Sequence, residues 1–466
     1  MPVTLLQGDD LPYNIFSSLG EYGLPILAFL NYIDGNAFRA TCKEARTAVA
    51  EYKWMDSETR INGNLEKWRT CFRNAKAANI FNRIHLKDID FVHFKGIHTL
   101  NMTGCTGITD TAFEHFKDIH TLNMTGCTGI TDTAFEHLKG IHTLNMSKCS
   151  QITDTAIIHL KGIHTLNMEY CDEITDDAFV HLKGIHALDM SYCDQITDVA
   201  FVHLKGIHTL QMHSCRQITD AAFVHLKGIH SLNMSKCNQI TDTAFVHLKG
   251  IHTLDIRSCF EITEKGYAHL RGIHTLIMNH VGGRCGITDK AFAHLEGIHT
   301  LSMELGFRHN IDTAPSKITD KAFIHLKGIH TLNMIFCKKI TDAAFVHLKG
   351  IHTLNMSHCN VTDAALVHLN GIHTLHMQKC KNITGSGFVH LNGIHTLDVG
   401  YHRKYSESYV DQFKLIGMKV LGYSFDGDHR PCYYVTDLRR KLKDVKITRF
   451  LFPWSHNNKI DTLHIF

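Results

Sequence analysis

Between residues 96 and 400 the apolar positions recur with a period of 22. In one such stretch, GIHTLNMSKCSQITDTAIIHLK at 140–161, Ile141, Leu144 and Met146 end in a period-two alternation. That alternation predicts a strand with one buried face. Cys149 and Ile152 continue the buried row. Thr153 and Asp154 then predict a helix start, because a side-chain oxygen satisfies the amide donors left over in a first turn. Ala156, Ile157 and Leu160 share one face of that short helix, and Gly162 ends it by taking the left-handed conformation. One strand and one short helix cannot bury eight apolar side chains unaided. Successive units must therefore stack and share a core, which makes a solenoid.

The Gly-Ile-His-Thr-Leu phrase begins at Gly96, Asp118, Gly140, Gly162, Gly184, Gly206, Gly228, Gly250, Gly272, Gly297, Gly328, Gly350, Gly371 and Gly393, fourteen copies in all. Two weaker copies follow, in GMKVLGY at 417–423 and CYYVTDLRRKLKDVKI at 432–447. Longer spacings mark two insertions, NHVGGR at 279–284 and ELGFRHNIDTAPSK at 304–317. Both fall at the same turn of consecutive units, so they are expected to protrude together from one edge.

The pattern I-x-x-L-x-M-x-x-C-x-x-I-T-D-x-A-F-x-x-L resembles the cysteine-containing class of leucine-rich repeat, with 22 residues short for that class. The resemblance implies an α/β fold: a horseshoe solenoid with parallel strands inside and short helices outside. Fourteen strands at about 4.8 Å would make a spine on the order of 60 Å. Such a surface suits a protein partner better than a metabolite.

The period also decides how to read the cysteines and histidines. Of 15 cysteines, thirteen occupy one ladder position: Cys105, Cys127, Cys149, Cys171, Cys193, Cys215, Cys237, Cys259, Cys285, Cys337, Cys359, Cys380 and Cys432. A small buried thiol there fills the core and bonds a turn carbonyl weakly. Equivalent side chains in stacked layers point the same way, which argues against disulfides, and a straight column cannot wrap around one zinc ion. Two histidine columns hold 28 of the 38 histidines, one on the helix from His93 to His390 and one beside the strand from His98 to His395. Stacked like charges repel, so these imidazoles are expected to be mostly neutral at pH 7. No catalytic residue, cofactor or metal is expected.

Charge and composition narrow the partners. The net charge is +3, from 48 basic and 45 acidic residues, and no basic block in the array is long enough to track a nucleic-acid backbone. Arg439, Arg440, Lys441 and Lys443 read as a solvated helix face. The longest apolar run near the start, residues 23–33, is too short to span a bilayer. Many thiols and no visible secretory signal point to the cytoplasm or nucleus. Neither nucleic acid nor membrane is expected as a partner.

Residues 1–60 lack the repeat and carry five basic against eight acidic residues. They read as short helices, LPILAFLNYI and then AFRATCKEARTAVAEYKW, with Phe38, Thr41, Cys42, Ala45 and Val49 at helical spacing. The phrase LPILAFLNYIDGNAFRATCKEARTAV at 24–49 resembles an F-box: a Leu-Pro opening, an apolar helix ending in a Tyr-Ile-Asp turn, then a helix with Cys-Lys and Arg. By that resemblance Leu24 and Pro25 open an adaptor-binding helix, Leu27, Leu30 and Ile33 line it, and Cys42 with Lys43 begin the last segment. The stretch from Ile33 to Cys42 is shorter than the family's. The same residues also read as a plain helical cap over the first repeat's open core.

The expected organisation is therefore an F-box-like all-α domain at 1–60, a cap and truncated first repeat at 61–95, the repeats at 96–400, and degenerate repeats with a C-terminal cap at 401–466. The combination is similar to substrate receptors of SCF ubiquitin ligases, which implies a Skp-type adaptor, a cullin and a protein target. Its role would be positioning, not chemistry. A non-enzymatic scaffold or decoy is the alternative, and a repeat protein with its own cysteine ligase domain is a remoter one. Thr and Asn columns repeat along the strands, so discrimination should come from positions that vary after the strands. Tyr170, Tyr192, His213, Arg257 and Phe336 are such positions, and Phe307, Arg308 and His309 in the second insertion are expected to join them.

Overall fold

The computed structural model describes residues 27, 30–279, 287–304, 317–400, 420–423 and 446–449. The chain divides into two compact units, residues 1–185 and 186–466. Five parallel strands run through the first: β1 (Ala77–Asn79), β2 (Thr99–Asn101), β3 (Thr121–Asn123), β4 (Thr143–Asn145) and β5 (Thr165–Asn167). The second carries the strands from β6 (Ala187–Asp189) to β15 (Thr396–Asp398), followed by β16 (Val420–Tyr423) and β17 (Lys446–Arg449), again all parallel. Register is locked to the repeat, so Thr faces Thr and Leu faces Leu, as in Thr353↔Thr374 and Leu354↔Leu375. The two weak C-terminal copies thus continue the array as strands. The expected protruding insertions at 279–284 and 304–317 lie outside the described residues except for Asn279, Glu304 and Lys317.

Each repeat contributes the same buried set. In one layer Leu210, Met212, Cys215, Ile218, Ala222 and Phe223 are all fully buried, with Ile207 and Leu204 nearly so. The connecting helices are mostly short 3-10 turns, as at Asp220–His225. A connecting element of about two turns has to reach from strand to strand within 22 residues, and the tighter 3-10 winding serves short pieces. Thr219 caps its turn as expected, accepting from the amide of Ala221.

Asp220 does something other than the expected capping. Its carboxylate accepts from the amide (2.8 Å) and hydroxyl (2.5 Å) of Thr241 in the next repeat. The same staple joins Asp110 to Thr131, Asp132 to Thr153, Asp198 to Thr219 and Asp342 to Thr362. The Thr-Asp pair is thus half cap and half inter-layer clasp. Between helix and strand, Gly228 sits at φ 83°, where a side chain would be strained.

The N-terminal helices differ from the sequence reading. Tyr32-Ile33-Asp34 does not end a helix; it opens one, Tyr32–Arg39, because the Asn31 side chain accepts from the amides of Ile33 and Asp34. The second expected helix is interrupted at Ala40–Cys42 and resumes as Lys43–Glu51, with the Cys42 thiol accepting from the Ala45 amide at 3.3 Å. A third helix spans Leu65–Cys71. Tyr32, Trp54, Trp68 and Phe72 form a cluster with ring centroids 4.7–6.4 Å apart, and the Tyr32 hydroxyl donates to the Ala77 carbonyl on β1. Gly35 leaves room for the Trp54 ring, which a methyl group would strike. The Lys76 and Ala77 amides are taken by the Trp54 carbonyl, and the Ile61 amide by Asn79. These residues close the exposed edge of β1, which is what an open solenoid end requires.

Phe223→Ala should destabilise its repeat by about 3–5 kcal/mol, whereas Val224→Ala, at an exposed neighbouring position, should stay within about 0.5 kcal/mol. Hydrogen exchange of the amides in residues 207–232 checks both.

Candidate functional site

Because layers repeat, every chemistry-bearing column is set by what identical neighbours do to one another. In the strand-side histidine column of the first unit, His98, His120 and His142 stack with ring centroids 4.6 Å apart and planes 11–12° from parallel. In the second unit the stack runs from His186 to His395 at 4.4–4.6 Å. Nδ1 of each typically meets the hydroxyl of the following threonine, as in His252 and Thr253 at 3.1 Å. Partial burial and the neighbouring imidazoles lower the pKa of His120, His208, His252 and His373. This agrees with the expectation of a mostly neutral ladder.

The cysteine column is equally structural. Cys127, Cys149, Cys237 and Cys259 donate to the carbonyl of the methionine one layer back, over 3.0–3.3 Å. Burial pushes the thiol of Cys149 up to about 11 and those of Cys237 and Cys380 up to about 12. A thiol held protonated is neither a nucleophile nor a metal ligand. Among the described residues no three His, Cys, Asp or Glu side chains converge to hold a metal ion.

The strand face departs from the simple repeating display read from the sequence. Asn167, Asn233, Asn333 and Asn355 are buried, as are Thr165, Thr209 and Thr253, whereas Thr99, Asn101, Thr143, Asn145, Thr331 and Thr353 are half-buried, so the columns are only partly turned inward. Asn233 accepts from both the amide and hydroxyl of Ser235. Carboxylates replace amides at Asp189, Asp255 and Asp398, each with no exposed surface. Asp255 is gripped by Arg257 through Nη2 at 2.6 Å and Nε at 2.8 Å. Gln378 and His376 bond Asp398 at 2.5 and 3.1 Å. Gln211, in register between Asp189 and Asn233, is buried with its amide nitrogen unbonded.

What remains accessible is the rim just past the strands. His213 bridges Ser235 (Nδ1 to Oγ, 2.5 Å) and the Tyr192 hydroxyl (Nε2, 2.9 Å). Burial, with Lys236 and Arg257 nearby, holds its pKa down to about 4. In the first unit Tyr170 is 36% exposed with the Lys148 ammonium 5.6 Å from its ring. In the second, Phe336 packs on His358 with centroids 4.1 Å apart. Of the other variable positions, Asn279 and Gln378 are buried and structural. Phe307, Arg308 and His309 lie outside the described residues.

The residue before each ladder cysteine carries a signal that spacing alone did not reveal. Lys148, Tyr170, Tyr192, Ser214, Lys236, Ser258, Phe336, His358 and Lys379 all adopt φ between 56° and 63°. Gly104 and Gly126 hold the same place in two early repeats. A non-glycine residue there costs roughly 1–2 kcal/mol. The turn is imposed by layer bonds such as Lys236 N to Arg257 O at 2.8 Å, so strain is tolerated wherever a side chain is presented.

The pattern of a BspA-type leucine-rich repeat region matches residues 68–186 and 163–274, in six copies. The array is built of leucine-rich repeats. No curated protein matches the chain. Similar solved structures include the Rad7–Elc1 complex of yeast, at 13% identity over 89% of this chain and 92% of that one, with a TM-score of 0.42. The TLR13–ssRNA13 complex shares 15% identity over 83% and 63% of the two chains, with a TM-score of 0.48. An internalin of Listeria monocytogenes shares 15% over 74% and 93%, with a TM-score of 0.42.

Two predictions follow from the columns. His213 is charged less readily folded than unfolded, where its pKa is about 6.5. Its contribution is complete above that value and lost as pH falls from about 6.5 toward 4, because the unfolded chain then binds the extra proton. Thermal melts between pH 7.5 and 4 should show this decline, and His213→Gln should make it shallower. Separately, iodoacetamide on the native protein at pH 8 should label Cys42 and Cys71, which are half-buried, ahead of the eleven buried cysteines described; peptide mass spectrometry reads the order.

Proposed function

We propose that this chain is a non-enzymatic recognition subunit of an SCF-type ubiquitin ligase. Its leucine-rich repeats hold a protein target along the rim, and its N-terminal helices dock on a Skp-type adaptor that links to a cullin. A leucine-rich-repeat array is a protein-interaction module, and the side chains kept at strained rim positions are the observation that carries the target-binding half. Tyr170, Tyr192, His213, Arg257 and Phe336 all lie on that rim or at its border.

The adaptor-binding half rests on less. Ile33 is 69% exposed on the helix Tyr32–Arg39, an unusual place for a large aliphatic side chain, and Lys43 is exposed at the start of the next helix. Leu27 is buried, Leu30 is half-buried, Cys42 is occupied as a cap, and Leu24 and Pro25 lie outside the described residues. A second reading, a scaffold whose N-terminus is only a cap, is favoured by the seating of Tyr32 and Trp54 against β1.

Gel filtration of the full chain mixed with a purified Skp-type adaptor separates the two. On the ligase reading the proteins co-elute, and Ile33→Glu weakens the complex at least about tenfold without lowering the melting temperature. Independent elution of the wild-type chain would leave the scaffold.

A further inference from the structure

The turns that follow the strands of three consecutive repeats in the second unit, residues 335–339, 357–360 and 378–382, contain four lysines and no aspartate or glutamate. Lys338, Lys339 and Lys381 are exposed and Lys379 is half-exposed. Earlier turns of the same unit mix charges, with Asp194, Arg216 and Glu261 at equivalent places. Among the described residues at the flanking strand ends, Asp398 is buried and bonded by Gln378 and His376, and Glu304 is half-buried with Arg257 nearby. Phe336 and His358 pack against each other within the same patch, ring planes tilted by 31°.

The platform is rigid. The Asn360 side-chain amide donates to the Lys338 carbonyl at 3.1 Å, and that of Asn382 to the Asn360 carbonyl at 2.9 Å. These bonds tie the three turns together. Phe336, His358 and Lys379 hold φ of 62°, 62° and 56°, where glycine would be unstrained. Aromatic and cationic side chains are thus presented from a fixed scaffold, which lessens the ordering cost of binding.

Resting on the reading of the array as a protein-binding module, we propose that this patch binds a short, extended acidic segment of the partner. Charge selects an anion. Size selects a peptide: three layers span about 10 Å, the reach of about three extended residues, whereas single-stranded nucleic-acid sites take about 4–16 nucleotides. Carboxylates pair with the lysines, and an apolar neighbour lies on Phe336.

The test measures binding of a fluorescein-labelled octaglutamate peptide to the full chain by anisotropy, with octauridylate as the competing probe. The peptide should bind more tightly than the oligonucleotide and weaken with salt, and K338E/K339E should weaken it at least about tenfold. Charge reversal at the exposed Lys227 and Lys249, on the helix side, should change it less than about twofold. Phe336→Gly should release strain, melting no lower than wild type, yet bind the peptide less tightly. Undiminished binding by K338E/K339E, equal loss in the Lys227/Lys249 variant, or tighter binding of octauridylate overturns the proposal. None of these results alters adaptor co-elution, so the ligase reading stands or falls separately.

Discussion

Everything in this protein follows from layers that must satisfy their own copies. A residue at one ladder position meets the same residue about one strand spacing away, above and below. Only side chains that tolerate self-contact can fill a column. Phenylalanine and leucine do so by packing, cysteine by passing a weak hydrogen bond back one layer, and histidine by stacking its ring. Aspartate is admitted because it bonds the next layer's threonine, not the next aspartate. The columns that look most like chemistry, the thiols and imidazoles, are therefore the ones most fully explained by stacking.

The same constraint separates structure from recognition. On the strand face, the Thr and Asn columns are buried in some repeats and half-buried in others, and being uniform they give a partner little to discriminate. Departures from uniformity cluster at two places. On the strands, Asp255 and Asp398 bring buried charge that must be matched locally by Arg257, Gln378 and His376. At the rim, the backbone conformation is dictated by interlayer bonds and favours glycine, yet most repeats place a large or polar side chain there. The interlayer bonds that fix this turn are what hold such strain in place, in repeat after repeat.

The amino-terminal helices meet the opposite demand. An array of parallel strands has an unpaired edge, and Trp54, Asn79 and the aromatic cluster around Tyr32 close it. A cap and a docking element are compatible, since the cap uses one side of the helix Tyr32–Arg39 and leaves Ile33 in solvent.

Much of the fold was legible along the chain. Period, buried positions, Thr capping and the reason for the aligned cysteines, eleven of which lie among the described residues, could be read from residues 140–161 and their copies, because local pattern and global stacking are the same fact in a repeat protein. Strand β1 was missed because Ala78 stands where later repeats have leucine, and the N-terminal helix boundaries shifted because Asn31 and Cys42 act as caps that apolar spacing does not register. The candidate surface was legible only in part. Variability pointed to Tyr192, His213, Arg257 and Phe336, but nothing linear shows that the residue before each cysteine turns left-handed. Nor does it show that Lys338, Lys339, Lys379 and Lys381, over forty positions of sequence, become neighbours. These lysines form no basic block along the repeats; stacking at a fixed register assembles one, because it converts a separation of one repeat into a single strand spacing.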